Sequence, residues 1–110
     1  MEITRGAIVV VASKGPYTGK PRPALVVQSD LFNETHGSVT LCPITTDCVD
    51  APLFRVTLQP ERRTGLESVS QVMVDKVVSV PRGAIARELG RCDSPHLDLV
   101  DDALRRWLGL

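Results

Sequence analysis

Arg22 is the residue of this sequence whose setting most favours chemistry on an anion. It stands between Pro21 and Pro23 in the stretch GKPRPALVVQSD, and a residue before proline is pushed toward extended backbone. The aliphatic run at residues 24–27 follows at once, and its length and β-branched content predict a buried strand. The guanidinium of Arg22, a group that stays charged, is thereby held at the start of a rigid strand. Its forked donors suit a phosphate or a carboxylate better than an ammonium group would.

Size and charge restrict what can surround this arginine. A chain of 110 residues can bury one core but not two, so we expect residues 1–110 to form a single domain. Hydrophobic residues make up 43% and charged residues 24%, with zero formal net charge, which is typical of a globular protein and not of a disordered one. Zero net charge also argues against a protein that coats polyanions along its whole surface.

Neither a membrane span nor a metal centre is predicted. Apolar runs stay well below the roughly 18 residues that span a bilayer, and the N-terminus lacks the basic region and cleavage site of a signal peptide. We therefore expect a cytoplasmic protein. The three cysteines show no CxxC spacing, so they predict neither a disulfide framework nor a zinc site. We expect no cofactor.

Short apolar stretches separated by turn residues predict a mainly β fold. The first, residues 7–12, should be a central strand covered on both faces, and the loop at residues 13–21 is long enough to be functional. A terminal helix is predicted with Ser94 as its cap and Pro95 in its first turn. The other predicted strands are residues 24–27, 38–43, 53–58, 69–74 and 77–80. We expect a small antiparallel barrel, or a strongly bent sheet, with this helix packed on it.

Five pieces of the sequence, in order, resemble the MazF/PemK family of toxin endoribonucleases. They are RGAIVVV, KPRPALVVQSD, VTLCPITT, GLESVSQVMVDKVVSVPR and a terminal helix ending in LGL. The similarity spans nearly the whole chain. It implies an SH3-like small antiparallel β-barrel with a C-terminal α-helix, and a homodimer. It also implies metal-independent cleavage of single-stranded RNA, and inhibition by a cognate antitoxin protein.

The resemblance assigns two catalytic residues. The arginine of the family's RP motif matches Arg22, and the threonine that ends its third strand matches Thr45, with Thr46 adjacent as an alternative. If a ribose 2′-hydroxyl attacks the neighbouring phosphate, negative charge spreads over the equatorial oxygens, where a guanidinium and a hydroxyl donor stabilise it. The implied products carry 2′,3′-cyclic phosphate and 5′-hydroxyl ends. A single-stranded substrate is implied, because a stacked A-form helix does not allow this attack geometry.

A set of residues around the catalytic pair is also predicted to bind RNA. Tyr17 stands where many family members have an acidic loop residue, and at a pKa of about 10 it suits stacking on a base better than proton transfer. The general base therefore stays open. His36 and His96 are candidates by residue type, but one lies in a predicted turn and the other at a helix start. The predicted RNA-binding residues are Tyr17, Lys20, Gln28, Thr46, Asp75 and Lys76.

Two other functions compete with the nuclease. CcdB-like gyrase poisons share the implied fold and end in a Trp-Gly-containing tail, and this chain ends in Trp107, Leu108, Gly109 and Leu110. That function would make the chain a protein binder, although Leu108 is inserted in the tail and the pieces KPRPALVV and PITT match the nuclease branch. Trp107 is otherwise expected in the core or at a dimer interface. An SH3-like adaptor for proline-rich ligands is disfavoured, because the chain has too few aromatic residues for such a groove.

Overall fold

The computed structural model of the chain describes residues 2–12 and 20–110. Within these residues it has seven strands, two α-helices and two single 3-10 turns, Val74–Lys76 and Arg82–Ala84. The strands are β1 (Ala7–Val11), β2 (Arg22–Val26), β3 (Ser38–Thr45), β4 (Arg55–Leu58), β5 (Ser70–Met73), β6 (Val78–Pro81) and β7 (Ile85–Arg91). The helices are α1 (Asp30–Asn33) and α2 (Ser94–Leu108).

The strands form a mainly antiparallel sheet, as predicted. Their order is β4, β5, β3, β2, β1, β7, and β6 pairs with β3 beside this path. Among the described residues, the path does not close between β4 and β7. The architecture is therefore an open, bent sheet of the barrel-like class with a C-terminal helix packed on it.

β3 is the strand that connects the two parts of the sheet. One of its edges pairs with β2, and its other edge pairs first with β6, through Ser38 to Leu41, and then with β5, through Ile44 and Thr45. Pro43 lies between the two partners on that second edge, where its missing N–H leaves no ladder bond unmade. Beyond Pro43, β3 no longer pairs with β6, and Thr45 lies beside β5.

The sheet is covered on both faces by apolar side chains. The cluster toward α2 contains Ile8 and Leu25 together with Val100 of the helix, and the cluster on the opposite face contains Val9 and Val26. All five side chains are at most 1% exposed, and each such burial stabilises the fold by roughly 1.5–3 kcal/mol. The prediction that the first strand is central and covered on both faces is confirmed.

The start of α2 differs from the prediction by one residue. The N-cap is Asp93, not Ser94, because the Asp93 carboxylate accepts a hydrogen bond from the His96 backbone N–H at 2.9 Å while Ser94 is already helical. This bond lowers the pKa of Asp93. Pro95 lies in the first turn as predicted, and the helix ends at Gly109, whose φ of 73° is left-handed.

Two elements were not predicted, the strand β7 and the short helix α1. In β7, IARELGR, only Ile85 is fully buried, so the sequence lacks the apolar alternation by which a strand is recognised. The strand exists because it pairs along β1, with two register shifts. No helix in residues 2–12 and 20–110 is long and apolar enough to cross a membrane.

Candidate nucleic-acid interface

The register of four strands places a row of polar side chains on one face of the sheet. Thr45 of β3 lies opposite Gln71 of β5, and Gln71 lies opposite Thr57 of β4. β2 and β3 pair from Val26 and Leu41 to Ala24 and Pro43, and side chains alternate along each strand, so Arg22, two residues before Ala24, shares a face with Thr45, two residues after Pro43. The directly paired residues, Thr45 with Gln71 and Gln71 with Thr57, have Cβ atoms about 4.5–5.5 Å apart. We call Arg22, Thr45, Gln71 and Thr57 the polar row.

Arg22 is an exposed residue at the first position of β2, where it pairs with Val11 of β1. Side chains alternate along a strand, so Arg22 points to the face of the polar row while Pro23 points to the other face. Both neighbouring prolines, Pro21 and Pro23, line a cleft on that other side. The backbone of Arg22 is thus held by a strand, and its guanidinium is accessible to a ligand.

Thr45 is half-buried, and its hydroxyl is oriented by the loop that follows β3. Its Oγ1 accepts a hydrogen bond from the backbone N–H of Asp47 at 3.0 Å. Because this bond uses the oxygen as an acceptor, the hydroxyl proton is left to donate elsewhere. Thr46 is exposed and lines the cleft on the opposite side of the strands. The geometry therefore favours Thr45 over Thr46 as the donor that acts beside Arg22.

The cleft behind the polar row has a volume of about 440 Å³. It is lined by Pro21, Pro23, Thr46 and Arg87, and by the loop at residues 65–68. Of these groups, the guanidinium of Arg87 can stack on a nucleotide base, whereas the acidic Glu67 in the lining disfavours the phosphate backbone. The cleft is thus a second candidate binding surface, at the end of β2 where Arg22 lies.

Two glycines hold the loop that forms one wall of this cleft against β7. A Cβ on Gly90 would lie 2.2 Å from the carbonyl oxygen of Arg63, and a Cβ on Gly65 would lie 2.3 Å from that of Leu89. Gly65 also has a φ of 71°, in the left-handed region that other residues rarely adopt. The loop and β7 therefore pack backbone against backbone, which leaves no space for a side chain at either position.

Two of the predicted RNA-binding residues precede Arg22. Lys20 is exposed, and it lies two residues before Arg22 along the chain. It can therefore add positive charge near the start of β2. Tyr17 lies outside the described residues, so its predicted stacking on a base stays a prediction.

Asp75 and Lys76 lie in the 3-10 turn that follows β5. The Oδ1 atom of Asp75 is 3.9 Å from Nε of Arg55, which makes an ion pair between two largely buried side chains. Lys76 is exposed. Since Arg55 also bonds to Gln71, the acid is linked to the polar row through other residues.

Gln28 lies at the opposite end of β2 from Arg22. Its Nε2 donates to Asn33 Oδ1 at 2.9 Å and to the carbonyl of Ser38 at 3.1 Å, and its Oε1 accepts from the N–H of Thr40 at 3.1 Å. These bonds hold the turn between β2 and β3 together. The structure does not bring Gln28 to the polar row, and a contact with RNA would require it to exchange these bonds.

Gln71 and Arg55 were not among the predicted site residues. Gln71 is 8% exposed, and a glutamine at that depth has to find internal partners. The sequence carried a weak signal, because this glutamine interrupts the apolar stretch VSQVMV. Arg55 lies two residues before Thr57 in β4, so the two side chains share a face of the strand.

His36 lies far from the polar row, whereas His96 lines a pocket together with Thr57 of the row. His36 precedes β3, the strand that Thr45 ends, so about 25–30 Å of extended backbone separates the two residues. The His36 Nδ1 atom accepts from the N–H of Ser38 at 3.1 Å. His96 lies on α2, where its Nδ1 is 2.7 Å from the carboxylate of Asp93. Both contacts give the histidines local structural roles.

Trp107 lies on α2 and is 50% exposed. Its ring is tilted by 54° against that of Phe54, with 5.9 Å between the ring centroids. Arg106 next to it donates to the carbonyl of Leu53 at 3.2 Å. The ring contact with Phe54 and the Arg106 bond attach α2 to the segment before β4. Trp107 stays half exposed, so it can make a further contact.

Comparisons with known proteins place this geometry in a family. The sequence profile of the PemK-like, MazF-like toxins of type II toxin-antitoxin systems matches residues 4–108. The chain belongs to this family. It is 45% identical over 106 residues, 96% of each chain, to a probable endoribonuclease MazF of Mycolicibacterium smegmatis. It is 26% identical over 96 residues, 87% of this chain and 83% of the relative, to the endoribonuclease EndoA of Bacillus subtilis.

The solved structures agree with this assignment. A crystal structure of MazE-MazF from Deinococcus radiodurans matches with a TM-score of 0.84 at 28% identity, covering all of this chain and 99% of its own. The resemblance read from the five sequence pieces is thereby confirmed, and so is the mainly β, MazF-like fold. The alternative of a CcdB-like gyrase poison receives no support from these matches.

Proposed function

We propose that this toxin, an endoribonuclease like the relatives that carry that name, cleaves single-stranded mRNA without a metal ion. The observation that supports this function best is the alternation of side chains along β2 and β3, which puts Arg22 and Thr45 on one face of the sheet. A fixed cation and a neutral donor side by side fit a phosphodiester that gains negative charge during attack. In this proposal, residues 1–110 form one domain.

In the proposed reaction the ribose 2′-hydroxyl attacks the adjacent phosphorus. A bond forms between the 2′-oxygen and phosphorus while the bond from phosphorus to the 5′-oxygen breaks. The 2′-hydroxyl loses its proton, and the departing 5′-oxygen gains one. Arg22 and Thr45 stabilise the negative charge on the equatorial oxygens. The products are RNA ends with a 2′,3′-cyclic phosphate and a 5′-hydroxyl.

The surface around the pair fits a single strand better than a duplex. Lys20 adds charge before Arg22, and Thr46 faces the neighbouring cleft, where a base turned out of the strand finds apolar and polar groups. Tyr17, Asp75 and Lys76 are the further proposed contacts. Because a duplex keeps its bases stacked, it cannot fill such a cleft while its backbone lies on the polar row.

Control of the toxin is proposed to follow the pattern of its relatives. A cognate antitoxin protein binds the chain and inhibits it, as implied by the MazE-MazF complex from Deinococcus radiodurans. The active form is a homodimer, and it acts in the cytoplasm, where its mRNA substrate is found. The homodimer can be tested on the purified protein, and the cytoplasmic location can be tested in its cells of origin.

The proposed function is tested by incubating the purified protein with single-stranded and duplex RNA of the same sequence in EDTA. We expect the single strand to be cut and the duplex to stay intact, because only the single strand allows the attack geometry. Loss of cleavage on chelation would contradict the metal-independent reaction. Inhibition of gyrase without any RNA cleavage would contradict the nuclease altogether.

A further inference from the structure

Gln71 holds the loop after β3 through two hydrogen bonds to one loop residue. Its Oε1 accepts a hydrogen bond from the backbone N–H of Val49 at 3.0 Å, and its Nε2 donates to the carbonyl of the same residue at 3.0 Å. The amide thus pairs with both polar groups of one loop residue, as a neighbouring strand would. The loop in turn covers Gln71, which is why the side chain is only 8% exposed.

Arg55 adds a second attachment to the same loop. Its Nη1 donates to Gln71 Oε1 at 3.2 Å and to the backbone carbonyl of Asp47 at 3.3 Å. The Asp75 carboxylate lies 3.9 Å from Nε of Arg55, and the two side chains are 21% and 12% exposed. Among the described residues, Nε of Arg55 and Oδ1 of Asp75 make no hydrogen bond, so this largely buried guanidinium is held by its two Nη1 bonds and by the charge of Asp75.

These attachments reach Thr45 through the backbone of Asp47. The N–H of Asp47 donates to Thr45 Oγ1, while the carbonyl of Asp47 accepts from Arg55. The residue that orients the hydroxyl is thus itself held by the guanidinium. Gln71 is also the residue directly opposite Thr45 in the sheet. The direction of the hydroxyl proton therefore depends on the loop, and the loop depends on Gln71 and Arg55.

We infer that Gln71 and Arg55 are positioning residues, which hold the loop at residues 46–51 so that the Thr45 hydroxyl points at the scissile phosphate. This inference rests on the proposed role of Thr45. Neither side chain has to touch RNA, because both act through the backbone of Asp47 and Val49. Asp75 has a supporting role in the same network, as the counter-charge of Arg55.

The first test compares Gln71→Leu and Gln71→Glu with the matched control Gln59→Leu, which makes the same change at an exposed position beyond the end of β4. A misplacement on the order of 1 Å costs about 10²-fold in rate, so we expect kcat of Gln71→Leu to fall by about that factor. KM should change by less than about 3-fold, because the RNA contacts remain. Gln71→Glu keeps the acceptor for Val49 and Arg55, so it should recover part of the rate.

The second test measures the loop without using activity. Cys48 is exposed within the loop, whereas burial raises the pKa of Cys42 to about 12 and that of Cys92 to about 11. A nitroxide reagent at neutral pH should therefore attach to Cys48, since the thiolate is the reacting form. In the electron paramagnetic resonance spectrum we expect a more mobile label in Gln71→Leu than in the unsubstituted protein or in Gln59→Leu.

The two readouts separate the inference from the proposed function. A label that is equally mobile with and without the Gln71→Leu change would overturn the inference, and so would a mobile loop with an unchanged kcat. Absence of RNA cleavage by the unsubstituted protein would instead refute the proposed function. The spectra would still decide whether the hydrogen bonds of Gln71 hold the loop. A circular dichroism melt of each variant establishes that it is folded when it is compared.

Discussion

At the scale of single residues, the site depends on which of two adjacent threonines shares a face with Arg22. Thr45 and Thr46 have the same side chain, and a sequence alignment that slips by one position exchanges them. The sheet register does not allow this exchange, because neighbouring residues of a strand point to opposite faces. Thr45 lies opposite Gln71 in the polar row, whereas Thr46 lines the cleft behind it.

We predict that Thr45→Val removes RNA cleavage and leaves the fold intact. Valine keeps the shape of threonine but has no hydroxyl, so one transition-state donor is lost, which costs on the order of 10²–10³ in rate. Single-turnover cleavage of a single-stranded RNA measures the effect. Thr46→Val is the comparison: because Thr46 lies in the proposed base-binding cleft, we expect weaker RNA binding but a largely unchanged single-turnover rate at saturating RNA. Full activity of Thr45→Val together with an inactive Thr46→Val would move the donor to the neighbouring residue.

At the scale of elements, the polar row is built by β2, β3, β4 and β5, which the sequence predicts unequally well. The strands could be located because aliphatic runs are local signals, but the boundaries taken from prolines were wrong: the third strand was expected to end at residue 43 and continues to Thr45, and β2 begins at Arg22 instead of residue 24. β7 could not be predicted, since its side chains are mostly exposed and it is defined by its pairing with β1. The positioning of the loop after β3 was missed for a related reason. It depends on Gln71 and Arg55, which are distant in sequence from Thr45.

The backbone contact between β7 and residues 63–65, which lead into the loop that lines the cleft, gives a prediction on stability. Gly90→Ala places a methyl group about 2.2 Å from a backbone carbonyl oxygen, so we expect a loss of about 1–3 kcal/mol, typical of overpacking. Gly83→Ala is the matched control, because a Cβ there meets no atom of the described residues within 4 Å. Thermal or urea unfolding measures both variants. Equal stability of the two would show that the loop moves away at no cost.

At the scale of the whole molecule, large apolar side chains remain exposed on α2 and before β4. Leu53 is 65% exposed, Leu99 52% and Trp107 50%, and several such residues on one part of a surface indicate an interaction site. We predict that the chain is a dimer in solution. Light scattering at micromolar concentration should give twice the 12.0 kDa mass of one chain. A mass of a single chain would contradict the dimer and any RNA groove shared between two copies.

The central claim is that Arg22 and Thr45 act together on one phosphate. It is tested most directly by the rate at which 2′,3′-cyclic phosphate ends form in EDTA, with Arg22→Ala, Arg22→Lys, Thr45→Val and the double variant compared with the unsubstituted protein. We predict a loss of about 10²–10³ for Arg22→Ala and little recovery with lysine, because the fork of donors is missing. The double variant should lose less than the product of the single losses. Near-normal cleavage by a folded Arg22→Ala, or products with 5′-phosphate ends, would contradict the claim.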